Sequence, residues 1–225
     1  MGTGQGRVVT RARTGADGCR VCEGPTPWPF AVCFCCRSLV RQLQMPLVSA
    51  VAMTECRVGD AMHRRLRGYK DAPVDEVRRR CAAQLGSLAA RWLGADAARL
   101  RRRFGSAWDA VATVPSSRRP AGAPVDAVVS LVPQLDRLHR PLLVRGPAPT
   151  GHLVADRHGF ALDRRVDRAW LRDRRVLVVE DSTITGARAQ SAAAALRLGG
   201  ARVVGVVAIG RVVSGLPVPA VLPSG

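Results

Sequence analysis

A chain of 225 residues with 47% apolar content can bury the core of one α/β domain plus a small appendage, which excludes wholesale disorder. The formal charge of +18 comes almost wholly from arginine, Lys70 being the only lysine among 35 basic residues, and an Ala-, Gly- and Arg-rich composition weakens that charge as a sign of nucleic-acid binding. No apolar run approaches the ~18–20 residues of a membrane span and the first residues carry no apolar signal core, so a cytoplasmic protein without membrane contact is expected.

Residues 1–17 are rich in Gly, Thr and Arg and are expected to form a disordered tail. Residues 18–45 hold a cysteine cluster. Cys19-x-x-Cys22 is followed after ten residues by Cys33-x-x-Cys36, a spacing that brings four sulfurs to one tetrahedral point and predicts a structural Zn²⁺. The intervening EGPTPWPFAV, with three prolines, cannot be helical. A metal would replace the core this lobe lacks. Cys35 could stand in for Cys36 as the fourth ligand. Four thiolates leave no open position for water, so the site is structural rather than catalytic. Cys56 and Cys81 lie far along the chain, with Cys81 expected in the core.

Residues 46–213 read as one α/β domain, with the pattern clearest from about residue 56. Helical periodicity runs from 74 to 104, where Val77, Cys81, Leu85, Leu88 and Trp92 share a face. The runs Arg78–Arg80 and Arg101–Arg103 read as solvated faces, the second also suiting a helix C-terminus. A strand is predicted over 109–115, then a Ser/Arg loop, a helix over 124–138 with Val125, Val128, Val132, Leu135 and Leu138 inward, and a short strand over 141–145. His139 would end that helix as a dipole partner. The polar stretch 146–170 is expected to lie over a site as a lid, with His152 and His158 as acid/base candidates. RVLVVE (175–180) is a near-continuous apolar strand, as expected when both sheet faces are covered. A helix over 187–198 follows, with Ala192, Ala195, Leu196 and Leu198 inward, and then a last strand over 201–211. This alternation predicts a mainly parallel, doubly wound sheet. Residues 214–225 are Pro-rich and read as a flexible C-terminal tail.

The most informative segment is Val176-Leu177-Val178-Val179-Glu180-Asp181-Ser182-Thr183-Ile184-Thr185-Gly186-Ala187-Arg188. A buried strand runs into two carboxylates, and a hydroxyl-rich loop turns at Gly186 into a helix. Ligands of open parallel sheets bind outside the carboxyl ends of the strands. Helix N-termini offer unpaired N–H groups and a positive dipole end to a phosphate, to which Thr183 and Thr185 add hydroxyl donors. Glu180 and Asp181 would repel a bare phosphate. They suit sugar hydroxyls, or Mg²⁺ held through water. A ligand with a phosphate at one end and vicinal hydroxyls beside it satisfies both halves.

This loop resembles the ribose-5-phosphate loop of type I phosphoribosyltransferases. With the four-cysteine ribbon in front, residues 18–212 resemble the ComF family of competence-associated, phosphoribosyltransferase-like proteins. Leu66-Arg67-Gly68-Tyr69-Lys70, Val114-Pro115-Ser116-Ser117-Arg118-Arg119 and Asp156-Arg157-His158-Gly159-Phe160 resemble further segments of that family. The resemblance implies a type I phosphoribosyltransferase-like α/β fold behind a zinc ribbon. It also implies a site for 5-phosphoribosyl-1-pyrophosphate and Mg²⁺. Glu180 and Asp181 would hold the ribose hydroxyls. Ser182, Thr183, Ile184, Thr185, Gly186, Ala187 and Arg188 would wrap the 5′-phosphate, with Ser116, Ser117, Arg118 and Lys70 by the pyrophosphate. The sequence departs from the family at Glu180, where an Asp is usual, at Ile184, where a small or hydroxyl residue is common, and at Arg188, where Thr or Ser usually closes the cup. Residues 118–126 lack the family's Arg-Gly-Phe-Asn stretch. The expected activity is phosphoribosyl transfer to or from an unidentified nitrogen acceptor, with phosphoribosyl pyrophosphate or a nucleotide as ligand. The alternative is a non-catalytic DNA-uptake accessory that binds single-stranded DNA or a helicase, with Trp28, Phe30 and Phe34 as stacking residues.

Overall fold

The computed structural model of the protein describes residues 18–27, 29–105, 107–116 and 123–213. The tails expected at 1–17 and 214–225, together with Trp28, Ser117, Arg118 and Arg119, lie outside the described residues. In chain order the elements are α1 (Phe34–Leu43), β1 (Ala50–Cys56), α2 (Ala61–Asp71), α3 (Asp75–Ala95), α4 (Ala97–Phe104), β2 (Ala110–Thr113), and the helical turns α5 (Asp126–Val129) and α6 (Pro133–Asp136). They continue with β3 (Leu143–Arg145), β4 (Phe160–Leu162), α7 (Arg168–Leu171), β5 (Arg175–Thr183), α8 (Ala187–Leu198) and β6 (Arg202–Val212).

The fold is α/β. Four parallel strands form one sheet in the order β1-β6-β5-β2. β3 and β4 form a separate antiparallel pair, so the strand expected at 141–145 does not join the parallel sheet. The segment around His139 instead flanks the β2 edge, where Val111 N–H donates to the Leu138 carbonyl at 2.9 Å.

Strand alternation divides the core into two layers. Leu177 and Val179 of β5 face Met62, Leu66, Leu85 and Trp92 of α2 and α3. Val176 and Val178 face Ala192 and Leu196 of α8, with Leu142 and Leu171. Helices therefore cover both sheet faces, which accounts for the unbroken apolar run of β5. β6 approaches its neighbours closely: a Cβ on Gly205 would meet the Phe104 ring at 2.4 Å.

Several expected elements differ in extent. The helix expected over 74–104 breaks at Asp96 into α3 and α4. Its inner stripe is rotated toward Ala82, Leu85, Gly86, Ala89, Trp92 and Leu93, leaving Val77 44% exposed. The helix expected over 124–138 is two separate turns, since Pro133 starts a new one and its missing N–H cannot continue the old. Leu198 is 56% exposed rather than inward. The arginines of α4 are not all solvated: Arg99 and Arg103 both reach Glu23 in the cysteine lobe, and Arg103 also donates to the carbonyls of Arg20 and Val21. Among the described residues, no helix is long and apolar enough to cross a membrane.

Candidate functional site

The cysteine lobe is held by backbone before any metal is considered. Cys19 N–H donates to the Gly24 carbonyl, and Arg20 N–H to the Ala31 carbonyl. These turns bring the sulfurs of Cys19, Cys22, Cys33 and Cys36 within 4.8 Å of one another. Cys22 Sγ and Cys33 Sγ lie 3.8 Å apart. A thiolate tetrahedron with Zn–S bonds near ~2.3 Å has edges of about 3.8 Å, so the spacing fits zinc. Backbone N–H groups of Gly24, Cys33 and Cys36 point at the sulfurs of Cys22, Cys19 and Cys33, which stabilises negative charge on them. Because each thiol hydrogen-bonds its neighbours, Cys19 and Cys33 are driven below the usual thiol range and Cys22 and Cys36 above it. A dication would let all four ionise together. Cys36, not Cys35, completes the set.

The second site lies at the carboxyl ends of the strands. β5 continues through Thr183, pairing Glu180 with Ala208 and Thr183 with Arg211, so both acids sit on the strand rather than after it. The pleat then sends adjacent side chains to opposite faces. Asp181 turns toward α2, where it accepts from the Tyr69 hydroxyl and from Lys70 Nζ at 2.7 Å. Glu180 turns toward α8, where Arg188 Nε lies 3.8 Å from its Oε1.

Their surroundings drive the two carboxyls apart. Burial opposes the charge on Asp181, but Lys70, the Tyr69 hydroxyl and the Ser182 N–H outweigh it and hold that carboxyl below its usual range. Glu180 is 4% exposed, and burial together with the neighbouring Asp181 charge pushes it up to about 8 against the pull of Arg188 and Lys70. Among the described residues its Oε2 and the Thr183 hydroxyl meet no hydrogen-bond partner of good geometry, although the Thr183 hydroxyl lies near enough to the carboxyl to pull its titration down. At neutral pH the pair thus carries one negative charge and one proton. Burial and Asp181 also push the Tyr69 phenol upward, so it remains a donor.

The turn after β5 is short. Gly186 adopts φ +87°, a left-handed conformation that costs a side chain energy. It opens α8, whose Ala187 N–H donates to Thr185 Oγ1 at 3.2 Å. Thr185 in turn donates to the His152 carbonyl, tying the turn to the segment above it. A cleft of about 660 Å³ opens here, lined by Lys70, Ser116, Asp181, Ser182, Ile184 and Arg188. His63, Arg67 and Asp71 of α2 extend it along that helix, and Thr150, Gly151 and His152 form the opposite wall. A smaller recess holds Glu180, Thr183, Thr185, Gly186 and Ala187 beside Arg188.

Arg188 does not point freely into this recess. It donates to the Pro115 carbonyl, approaches Glu180 and stacks over the Phe160 ring at 5.7 Å. It therefore joins the loop after β2 to β5 and β4. Of the sequence-predicted histidines, His152 lines the cleft and His158 is exposed outside it. His139 is not a simple dipole partner: its Nε2 lies 3.3 Å from Asp126 Oδ1 and 3.3 Å from Thr113 Oγ1. Ser117 and Arg118, expected near the pyrophosphate, lie outside the described residues. Sequence reasoning missed Tyr69 as the partner of Asp181 and His63 as a cleft residue. Both stand on α2 at helical spacing from Lys70 or beside it, a signal that was readable once α2 was recognised as a helix.

No protein-family model matches the chain, and no curated protein matches it.

Proposed function

We propose that the protein is a phosphoribosyltransferase-like member of the ComF family, with a type I phosphoribosyltransferase fold behind a structural zinc lobe. In this reading it binds 5-phosphoribosyl-1-pyrophosphate with Mg²⁺ and transfers the phosphoribosyl group to or from a nitrogen acceptor. The observation that carries this reading is the cleft of about 660 Å³ at the carboxyl end of β5, where Asp181 and Ser182 stand beside Ile184 and Arg188 at the start of α8. That helix N-terminus and the Ser182 hydroxyl suit a phosphate. A ribose 5-phosphate would set its phosphate on the turn before α8 and a hydroxyl against Asp181.

In the forward direction the C1–oxygen bond breaks with its electron pair leaving on pyrophosphate, the acceptor nitrogen forms the new bond to C1, and that nitrogen loses its proton. The protein's task is to stabilise charge on the leaving group and on the cation-like sugar. Lys70 lines the cleft beside Asp181 and supplies a compact positive charge. Mg²⁺ would enter as the counter-ion of pyrophosphate and neutralise the leaving group; we assign it no protein ligand.

The test is thermal stabilisation by phosphoribosyl pyrophosphate, with and without Mg²⁺. At about 100 times its dissociation constant the ligand adds roughly 2.7 kcal/mol. A Gly186→Ala variant should lose most of that gain. No stabilisation of the wild type would overturn the reading.

A second reading is favoured by the outer face of the cysteine lobe. Phe34 is 74% exposed and Arg37 stacks over the half-exposed Phe30 at 4.4 Å, an arrangement on which nucleic-acid bases can stack. A DNA-uptake accessory would bind single-stranded DNA with affinity that falls steeply with salt and falls again in Phe34→Ala. Absence of binding at low salt would discard it.

A further inference from the structure

α1 begins at the cysteine clamp and ends at the cleft wall. Cys33 is its N-cap, and Cys36 stands in its first turn. About 9 Å further along the helix axis, by the rise per residue, Gln42 reaches the segment that carries His152. Its Oε1 accepts from the Ala155 N–H at 2.7 Å, and its Nε2 donates to the Leu153 carbonyl at 3.4 Å and to Ser38 Oγ at 3.0 Å. One side-chain amide thus bonds a backbone donor and a backbone acceptor two residues apart, as a neighbouring strand would.

Below this contact, Leu39 and Leu43 of α1 pack with Ala155 and with Ala187 and Ala194 of α8. Ala187 is the first residue of α8, directly behind the turn at Gly186. α1 therefore touches both the wall of the cleft and the helix that begins at its phosphate turn. The wall is also tied by Thr185 to the His152 carbonyl and by Asp156 N–H to Ser191 Oγ at 3.1 Å. Leu153 is 71% exposed and adds little packing of its own.

We propose that Gln42 is a positioning residue, through which the cysteine lobe holds residues 153–155, and with them the cleft wall at 150–152, in place. Gln42 is exposed and its bond to the Ala155 N–H is only part-buried, so removing the side-chain amide opens that N–H to water. The cysteine clamp sets the start of α1, and with it the position of Gln42, so occupancy of the clamp and of the cleft are linked. The link to a cleft ligand rests on the function proposed above; the hold on the wall does not.

The test compares amide hydrogen exchange in the metal-loaded wild type, Gln42→Met and Gln42→Glu. Met keeps the length of the side chain and deletes both backbone bonds; Glu keeps the acceptor for Ala155. The Ala155 amide should exchange roughly 10- to 100-fold faster in Gln42→Met and stay protected in Gln42→Glu. Unchanged exchange in Gln42→Met, or equal loss of protection in both variants, would overturn the proposal. In a second arm, ribose 5-phosphate should bind Gln42→Met several-fold more weakly than wild type, with affinity recovered in Gln42→Glu. By reciprocity it should also raise the chelator concentration that withdraws half of the zinc from wild type, and raise it less in Gln42→Met. Ligand binding to wild type with no effect on zinc retention would overturn the link to the clamp. A wild type that binds no ribose 5-phosphate would sink the proposed function alone, with the exchange result still deciding the role of Gln42.

Discussion

Replacing Glu180 with Gln should remove a loss of stability that the wild type suffers as pH rises from about 5 to 8. The unfolded carboxyl titrates near its ordinary 4.5, whereas burial and the Asp181 charge raise it in the fold to about 8. Below the first value both states carry the proton and the fold has no ionisation penalty. Between the two, the unfolded chain ionises while the folded one stays protonated, so stability is lost by about 1.4 kcal/mol for each pH unit. By about pH 8 the accumulated loss is roughly 3–4 kcal/mol relative to about pH 5, and it levels off above the folded value. Gln has nearly the same shape and does not titrate. Any fixed cost of weakening the contact with Arg188 appears at every pH and cancels in the comparison. The other carboxyls with resolved shifts (Asp60, Asp109, Asp126, Asp163 and Asp181) are all lowered and titrate below this window. The assay is thermal unfolding of metal-loaded wild type and Glu180→Gln at several pH values between about 5 and 8.5. For a chain of this size 1 kcal/mol moves Tm by about 2–4 °C, so the gap should widen by roughly 6–15 °C across the series. A gap that stays constant with pH would refute the raised carboxyl.

Lys70→Met leaves the Asp181 charge with only the neutral donors of Tyr69 and Ser182. It should cost about 1–3 kcal/mol at neutral pH, and the double variant with Asp181→Asn should recover most of that in urea unfolding. Because Asp181 is lowered in the fold, the stability from its pairing is present above its ordinary 3.8 and lost as pH falls below it, so the cost of Lys70→Met should shrink in acid. Cys22→Ser should abolish bound zinc by metal analysis, and the lobe around Arg20–Ala31 should lose exchange protection. Gly186→Ala, forced into φ +87°, should cost about 1–2 kcal/mol by urea unfolding even without ligand.

The parts of this fold that were legible in sequence are those where local pattern and tertiary burial agree. α8 matches its expected bounds because a Gly turn precedes it and Gly199 follows it. The cysteine clamp was readable because C-x-x-C pairs impose geometry at short range. β1 was missed because its burial comes from pairing with β6, which lies far along the chain. α1 and α2 are rich in polar and charged residues, and their apolar contacts are few and spaced for particular neighbours. The partners of the two acids were also hidden. That β5 runs on through Thr183, so that the pleat separates Glu180 from Asp181, depends on ladder pairing with Gly210 and Arg211.

That separation matters chemically. Side by side in a loop, two carboxyls would meet the same solvent and titrate alike, apart from mutual repulsion. On a strand between two helical layers, each meets a different layer. Asp181 finds Lys70 and Tyr69 on α2 and stays ionised. Glu180 is buried beside one guanidinium 3.8 Å away, too distant to compensate its burial. The two adjacent residues thus present unlike groups on opposite faces: a carboxylate that only accepts, and a carboxylic acid that also donates. The arm of Glu180, one methylene longer than that of an Asp, carries the carboxyl further from the backbone, toward Arg188. The structural basis for two roles in adjacent residues is therefore the period of the β-strand.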